Sequence, residues 1–338
     1  MVCQATLSGL ILNFCLSRQC FIVIAIMLIH SLSACSPLVQ SSNNQNQAPQ
    51  LTQTQFITSD GSRLPVKKWL PDERPRAVLV ALHGFNDYSN GFAWPAEFLA
   101  ANGIATIAYD QRGFGQSPHR GIWPGTELLI QDGLEMARLV KSEYPQVPVY
   151  LMGTSMGGAV ALSAAASTDE PSIEGLVLVA PAVWGGESLS SFYRGMSWLG
   201  AHVIRGLKVS RVSSITFSDN EEMLDTLHAD PNYIAKTRLD AAYGITNLMD
   251  HAQEIAVDNK KPAYIFYGLK DEVISVEAMC LLLGKLSSPF DVTFYSEGYH
   301  LLLRDLNRRQ VWVDILDKLT KKHKMPSRIP DQCRELSG

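Results

Sequence analysis

A serine, an acid and a histidine can together make a hydroxyl attack a carbonyl, and this chain carries Ser155, Asp271 and His300 in that order. A serine hydroxyl alone is a poor nucleophile. It becomes a competent one when an imidazole takes its proton and a carboxylate fixes the imidazole's tautomer. Ser155 lies in Gly153-Thr154-Ser155-Met156-Gly157, a Gly-x-Ser-x-Gly pattern followed by Gly158. The β-prone run Val149–Leu151 precedes it, and the small-residue stretch Ala159–Leu162 follows. That context predicts a strand reversing into a helix within a few residues. Side chains at the flanking glycines would collide with the neighbouring strand and helix. The turn exposes the serine Oγ at the edge of the sheet and aims the helix N-terminus at a developing oxyanion. Gly and Ser are common residues, so the pattern alone is weak, and the strand and helix around it carry the signal. A tight turn holding an inert serine is the alternative.

The partners follow from chain order. In this arrangement an acid and then a histidine come after the nucleophile, each just past a strand. Asp271 follows the strand-like run Ala263–Tyr267, with Glu272 as its rival, and His300 follows Val292–Tyr295. The other histidines fit less well. His83 precedes the nucleophile, in a motif of its own. His202, His228 and His251 fall in an inserted segment, and His323 lies in a basic helix end. Asp110 also ends a strand but precedes Ser155, and is expected to brace its own glycine-rich loop. Two backbone N–H groups must hold the oxyanion. They are assigned to Met156, the residue after the nucleophile, and to Phe85 in His83-Gly84-Phe85, where Gly84 lets the backbone come close.

The elements that must position these residues alternate. Phe56–Thr58 and Leu64–Leu70 flank an Asp-Gly turn and predict an antiparallel hairpin. Ala77–Leu82, Ile104–Tyr109 and Gly175–Ala180 are buried-strand runs. Phe92–Asn102, Thr126–Tyr144 and Ser275–Leu286 read as helices, and a last helix carries Trp312, Ile315, Leu316 and Leu319. Alternation stops between Trp184 and Lys260, where the pattern is helical with no buried-strand runs. The fold class is therefore α/β, a mostly parallel doubly wound sheet with a helical cap inserted over the strand ends. The expected division is 35–55 as a flexible tether, 56–183 and 261–324 as core, 184–260 as cap and 325–338 as tail. Trp184, Phe192, Tyr193, Met196, Trp198 and Leu199 in the cap suit either a tunnel for a lipid chain or ordinary packing.

The 338 residues are 46% hydrophobic and 18% charged with a net charge of −4. Roughly 290 residues beyond the N-terminal segment are enough for one large domain with an insertion. The charge gives no reason to expect nucleic acid. No spacing of Cys or His suggests a metal, and the chemistry above needs no cofactor. Residues 1–34 read as a signal peptide: Arg18 precedes Phe21–Leu32, an apolar run broken only by His30 and Ser31. It ends in Leu32-Ser33-Ala34-Cys35, which resembles the bacterial lipobox. That resemblance implies cleavage before Cys35, a lipid on that residue and a place in the bacterial cell envelope. Ser36 after it leans towards the outer membrane. The alternative is an uncleaved anchor helix from Leu7 to Leu32; both put the folded part outside the cytoplasm. Cys280 reads as a buried thiol, a Cys280–Cys333 disulfide being the alternative. The basic cluster Lys318, Lys321, Lys322, His323 and Lys324 reads as a solvated helix end, or else as a contact for anionic lipid.

His83-Gly84-Phe85, Asp110-x-Arg112-Gly113-x-Gly115-x-Ser117, Gly153-x-Ser155-Met156-Gly157-Gly158, Gly268-x-x-Asp271 and Gly298-x-His300 together resemble the α/β-hydrolases. Within these the set is similar to the monoacylglycerol lipase and lysophospholipase branch, of the serine aminopeptidase S33 or hydrolase-4 type. The similarity spans about Phe56 to Lys321. It implies an α/β-hydrolase fold and hydrolysis of a monoacylglycerol, lysophospholipid or related lipid ester through an acyl-enzyme. The chain departs from that branch at Phe85-Asn86-Asp87, where a small residue followed by Gly-Glu-His is frequent. Other uses of the same residues are a peptidase, thioesterase or acyltransferase, and a catalytically silent anchored binding protein.

Overall fold

Segments such as Ala77–Leu82 carry no polar side chain, so a strand made from one needs cover on both faces. The computed structural model, which describes residues 36–43, 45–167, 172–183, 191–210, 215–321 and 325–335, supplies that cover. Its strands are β1 (Gln50–Leu51), β2 (Gln55–Ile57), β3 (Arg63–Trp69), β4 (Ala77–Leu82), β5 (Ile104–Tyr109), β6 (Val149–Thr154), β7 (Gly175–Val179), β8 (Lys208–Ser210), β9 (Lys236–Arg238), β10 (Ala263–Gly268) and β11 (Phe290–Tyr295). Its helices are α1 (Ala93–Ala101), α2 (Thr126–Glu143), α3 (Met156–Ala166), α4 (Ser191–Val203), α5 (Glu221–Ala229), α6 (Leu239–Ile255), α7 (Val276–Lys285), α8 (Arg308–Thr320) and α9 (Asp331–Glu335).

Nine strands form one sheet in the order β1-β2-β3-β5-β4-β6-β7-β10-β11. From β5 to β11 every pairing is parallel, and the β1–β2–β3–β5 edge is antiparallel. The register sets Leu82 beside Gly153, Thr154 beside Val179 and Gly268 beside Tyr295. The loops after β4, β6, β10 and β11 therefore leave from one edge, as a parallel sheet requires of a site built from several strand ends. Alternate residues of each strand feed two apolar layers. Val80, Leu82, Leu151, Leu178 and Ile265 pack with α2, α3, α6 and α7. Leu79, Ala81, Met152, Val177 and Phe266 pack with α1 and α8. This is the doubly wound α/β architecture expected.

The hairpin turn is tied to the helical layer by one cation. Gly61 sits at φ +85°, the left-handed region in which glycine is unstrained. The buried Arg112 Nη1 and Nη2 donate to Asp60 Oδ2 and Oδ1 at 2.8 Å each, and Nε and Nη2 donate to Asp132 on α2 at 2.7 and 2.9 Å. Burial pushes the Asp60 carboxyl up, but hydrogen bonds from Arg112, Thr58 and the Asn43 and Ser62 backbone outweigh it and hold it well below the usual carboxylate range. Arg112→Met leaves two buried carboxylates without their cation and should cost about 3–5 kcal/mol at neutral pH. Asp60 contributes its stabilisation above the ordinary carboxylate pKa and loses it as pH falls towards its depressed value. Burial outweighs Arg112 at Asp132 and pushes that carboxyl up to about 7, so the gap between wild type and variant in urea unfolding should narrow as pH falls through 7 and again below about pH 4.

Three expectations are corrected. The stretch 35–55 is not a free tether over its described part. Gln40 N–H donates to Trp123 O at 2.9 Å, its side-chain amide to Ile122 O at 2.7 Å, and Asn43 Nδ2 to Ser62 Oγ at 3.0 Å. Gln47 N–H donates to Ser59 O at 2.9 Å, and β1 pairs with β2. The uncharged amides act as hydrogen-bonding groups to the core, where composition had suggested solvent. The tail is also held: Ser327 N–H donates to Phe290 O at 3.0 Å, and Cys333 on α9 is disulfide-bonded to Cys280 on α7, with Cα atoms 5.3 Å apart. Cys280 is thus no free thiol, because the tail folds back over α7. In the chain-entropy account, closing a loop of this length stabilises by about 4 kcal/mol. The inserted segment has a different extent. Its last helix, α6, buries Leu248, Met249 and Ala252 in the same core cluster as α3, and β8 and β9 add a two-stranded antiparallel pair.

No helix among the described residues is long and apolar enough to cross a membrane. Residues 1–35, including Cys35, lie outside the described residues, as do Trp184, the side chains of Phe192 and Tyr193, and Lys322–Lys324. Lys318 and Lys321 are paired with Asp291 and Asp317.

Candidate active site

Ser155 follows β6 directly and has φ 49° and ψ −118°, a strained combination for a residue with a side chain. Its N–H donates to Val179 O at 3.1 Å, and its carbonyl accepts from Gly158 and Ala182 N–H at 2.8 and 2.9 Å. The surrounding glycines are required by close approach. A Cβ on Gly153 would lie 2.1 Å from Gly157 O, one on Gly157 would lie 1.9 Å from Leu82 O, and one on Gly158 would lie 2.8 Å from Pro181 Cβ. The turn is thus wedged between β4, β6 and the segment after β7.

The structure brings Ser155, His300 and Asp271 together. His300 Nε2 is 2.9 Å from Ser155 Oγ, and His300 Nδ1 is 2.7 Å from Asp271 Oδ2. Asp271 and His300 are buried. Asp271 Oδ1 accepts the N–H groups of Val273 and Ile274 at 2.8 and 2.9 Å, which leaves Oδ2 for the imidazole. With Asp271 accepting, Nδ1 carries the hydrogen and Nε2 is the acceptor facing the serine. Glu272 does not reach the histidine; its Oε2 accepts from Thr216 N–H at 2.7 Å. A Cβ on Gly268 would lie 2.3 Å from Gly298 O, so glycine allows the acid and histidine loops to touch.

The loop after β4 completes the site. A Cβ built on Gly84 would be 3.5 Å from Ser155 Cβ. Among the described residues neither Phe85 N–H nor Met156 N–H, at the first turn of α3, has a hydrogen-bond acceptor. His83 braces this loop: Nδ1–H donates to Gly84 O at 2.8 Å, and Nε2 accepts Gln111 N–H at 2.9 Å. Burial pushes the His83 pKa down, so the ring is neutral, as its acceptor nitrogen requires. Asp110 accepts from Ser89 and Gln116 N–H at 3.0 and 2.8 Å and braces its own loop, as expected.

Sequence reasoning missed a seam between the inserted segment and these loops. Leu301 N–H donates to Phe217 O at 2.8 Å, and the Phe217 ring meets His300 edge-on with centroids 6.0 Å apart. Ser218 Oγ donates to Asp305 Oδ1 at 2.6 Å, while Asp305 Oδ2 accepts Tyr299 N–H at 2.8 Å, next to His300. Burial pushes the Asp305 carboxyl up. On the other side, Asn86 Nδ2 donates to Thr237 Oγ1 at 2.6 Å, Ile234 N–H to Asn86 O at 3.0 Å, and Asp87 is ion-paired with Arg304. The unusual Phe85-Asn86-Asp87 sequence is therefore where the cap and the histidine loop meet the β4 loop. Of the candidate tunnel residues, Met196, Trp198 and Leu199 are exposed.

A buried carboxylate–imidazole–hydroxyl chain beside two unengaged N–H groups can deprotonate the serine, hold an oxyanion and return the proton to a leaving group. Residues 73–307 match the family described as Hydrolase_4, serine aminopeptidase S33. The monoglyceride lipase of Rattus norvegicus is 27% identical over 259 residues, covering 74% of this chain and 84% of that protein. The monoacylglycerol lipase of Mycolicibacterium smegmatis is 23% identical over 263 residues, covering 77% and 94%. The crystal structure of the Paleococcus ferrophilus monoacylglycerol lipase superposes with a TM-score of 0.62 at 22% identity, covering 76% of this chain and 98% of that one.

Proposed function

The chain belongs to the serine aminopeptidase S33 (Hydrolase_4) family of α/β-hydrolases, and from that premise we propose that it is a membrane-tethered lipid ester hydrolase acting on monoacylglycerols or lysophospholipids. The observation that carries the chemistry is the Ser155 Oγ–His300 Nε2–Asp271 chain, at 2.9 and 2.7 Å. His300 takes the Ser155 proton as Oγ attacks the acyl carbonyl. The N–H groups of Phe85 and Met156 hold the oxyanion. The intermediate collapses as His300 protonates the departing alcohol, and His300 then activates water against the acyl-enzyme. Asp271 stabilises the imidazolium in both steps.

The lipid substrate is supported by the monoglyceride and monoacylglycerol lipases among the relatives. The tether is supported by the apolar run Phe21–Leu32 and the lipobox-like Cys35. The Cys280–Cys333 bridge agrees with a place outside the cytoplasm.

The test is hydrolysis of p-nitrophenyl esters from C2 to C16, of a monoacylglycerol and of a lysophospholipid by the full chain in detergent. Fluorophosphonate labelling is mapped in parallel. Expected are labelling at Ser155 and a rate maximum at medium or long acyl chains. A maximum at C2 would replace the lipid with a small ester. Labelling without any ester turnover would move the reading to a peptide substrate, and no labelling would leave a silent binding protein.

A further inference from the structure

A backbone N–H lies in the plane of its own peptide and points away from the carbonyl across the same trans bond. For the Phe85 N–H that carbonyl is Gly84 O, and two donors hold it. His83 Nδ1–H donates to it at 2.8 Å and Asp87 N–H at 3.2 Å. The second bond closes the turn Gly84-Phe85-Asn86-Asp87, in which φ is positive at Asn86, 66°, and not at Phe85. That is the type II arrangement, whose third residue must enter the left-handed region. Its one hydrogen bond uses the first carbonyl and the fourth N–H. The turn therefore sets the direction of the Phe85 N–H and leaves that group free for a ligand.

Glycine would take the left-handed corner at the least cost. Asn86 takes it and adds a side chain that is used. Its Nδ2 donates to Thr237 Oγ1 at 2.6 Å, and its carbonyl accepts Ile234 N–H at 3.0 Å. Both partners belong to the stretch 230–238 of the inserted segment. Just past the turn, Tyr88 Oη donates to Asp230 Oδ2 of the same stretch at 2.5 Å. This strap is itself held. Arg120 Nη2 donates to Tyr233 O at 2.9 Å, Ile234 packs against the core, and β9 at its end pairs with β8. From the other side the Phe85 ring meets Phe114 edge-on and Trp123 at a tilt, with centroids 5.6 and 6.3 Å apart. The core thus fixes the second residue of the turn, and the inserted segment fixes the third.

We infer that Asn86 is a positioning residue for the oxyanion donor, and that the strap 230–238, gripped through Thr237, keeps the Phe85 N–H aimed at the carbonyl that Ser155 attacks. This rests on the ester-hydrolase reading of the site. The oxyanion forms in both acylation and deacylation, so a donor that wanders slows both steps without weakening the binding of substrate. The inserted segment also reaches the base, since Phe217 O accepts Leu301 N–H next to His300. One element thereby holds the oxyanion donor and the histidine loop in register with each other.

The test compares wild type, Asn86→Gly, Thr237→Val, the double variant and Thr237→Ser, each as the full chain in detergent, on the p-nitrophenyl ester that wild type cleaves fastest. Asn86→Gly keeps the left-handed corner and removes the reach to the strap. Thr237→Val removes the acceptor and leaves the turn's own residues unchanged. Each should lower kcat about tenfold with KM within about twofold. The double variant should also lose about tenfold, because both changes break one bond. Thr237→Ser keeps the hydroxyl and should restore kcat to within about twofold of wild type. An alkyl trifluoromethyl ketone reads the oxyanion directly: Ser155 Oγ adds to its carbonyl carbon, the serine proton passes to His300, and the carbonyl electron pair becomes the oxyanion. Its Ki should rise about tenfold in the variants, in step with kcat, while that of the corresponding secondary alcohol, which forms no adduct, stays within about twofold. Unchanged kcat in every variant would overturn the inference and leave the hydrolase standing, and so would an additive loss of about a hundredfold in the double variant. A loss shared by KM and by both inhibitors would assign the contact to folding of the inserted segment and overturn the proposal. No ester turnover by wild type would remove the hydrolase reading and the inference together.

Discussion

Ser155→Ala should lower kcat/KM for every ester substrate by roughly 10⁴- to 10⁶-fold while leaving the fold intact. The size of the effect follows from what is removed. The substitution deletes the atom that forms the acyl-enzyme, so His300 and Asp271 have no nucleophile to activate, and only N–H groups and binding contacts remain to lower the barrier. The fold should survive because the turn is held by its backbone. Ser155 N–H is bonded to Val179 O, its carbonyl receives Gly158 and Ala182, and the glycine contacts with Leu82 and Pro181 do not involve the hydroxyl. Alanine inherits the same strained φ and ψ, so the thermal midpoint should move by no more than a few degrees. The measurement is kcat/KM beside a melting curve and fluorophosphonate labelling. Residual activity within tenfold of wild type would mean that another group attacks the ester.

The glycines show why this part of the site was legible in the sequence. Gly153, Gly157 and Gly158 are forced by contacts made within one strand–turn–helix unit and its neighbouring strands, so the constraint is written at fixed local spacing. The strands β4, β5, β6, β7 and β10 were legible because burial on both faces demands nearly continuous apolar runs, Thr106 being the one polar side chain inside β5. What was illegible depends on pairs distant in sequence. Phe217 with Leu301, Ser218 with Asp305 and Asn86 with Thr237 leave no periodicity and no motif, since any Ser, Asn or Asp could serve elsewhere as a solvated loop residue. Residues 36–47 misled for a related reason. An uncharged amide-rich segment lacks the hydrophobic pattern of an element, yet each Gln or Asn can donate to a core carbonyl or hydroxyl, and Gln40, Asn43 and Gln47 do so. The Cys280–Cys333 pair carries no spacing signal either, because only the return of the tail over α7 makes the sulfurs neighbours.

Local sequence could not choose between the adjacent acids Asp271 and Glu272, and the structure turns the choice into a sharp contrast. Asp271→Asn should cost about 10⁴-fold in kcat, and Glu272→Gln should stay within about threefold. In Asp271→Asn the side-chain oxygen can still accept from Val273 and Ile274 N–H, so the amide nitrogen is left facing His300 Nδ1. That nitrogen donates and cannot accept. His300 must then present a lone pair at Nδ1 and carry its hydrogen on Nε2, towards Ser155 Oγ, and an imidazole in that tautomer cannot take the serine's proton. The imidazolium also loses its counter-charge. Geometry and stability should change little, so the loss falls on kcat with KM nearly constant, the signature of an interaction made in the transition state. Glu272 is bonded to Thr216 N–H, which a glutamine oxygen accepts equally well. A Glu272→Gln loss equal to that of Asp271→Asn would mean that His300 depends on the hold of Glu272 on Thr216 as well as on Asp271, the acid loop then acting through the cap seam.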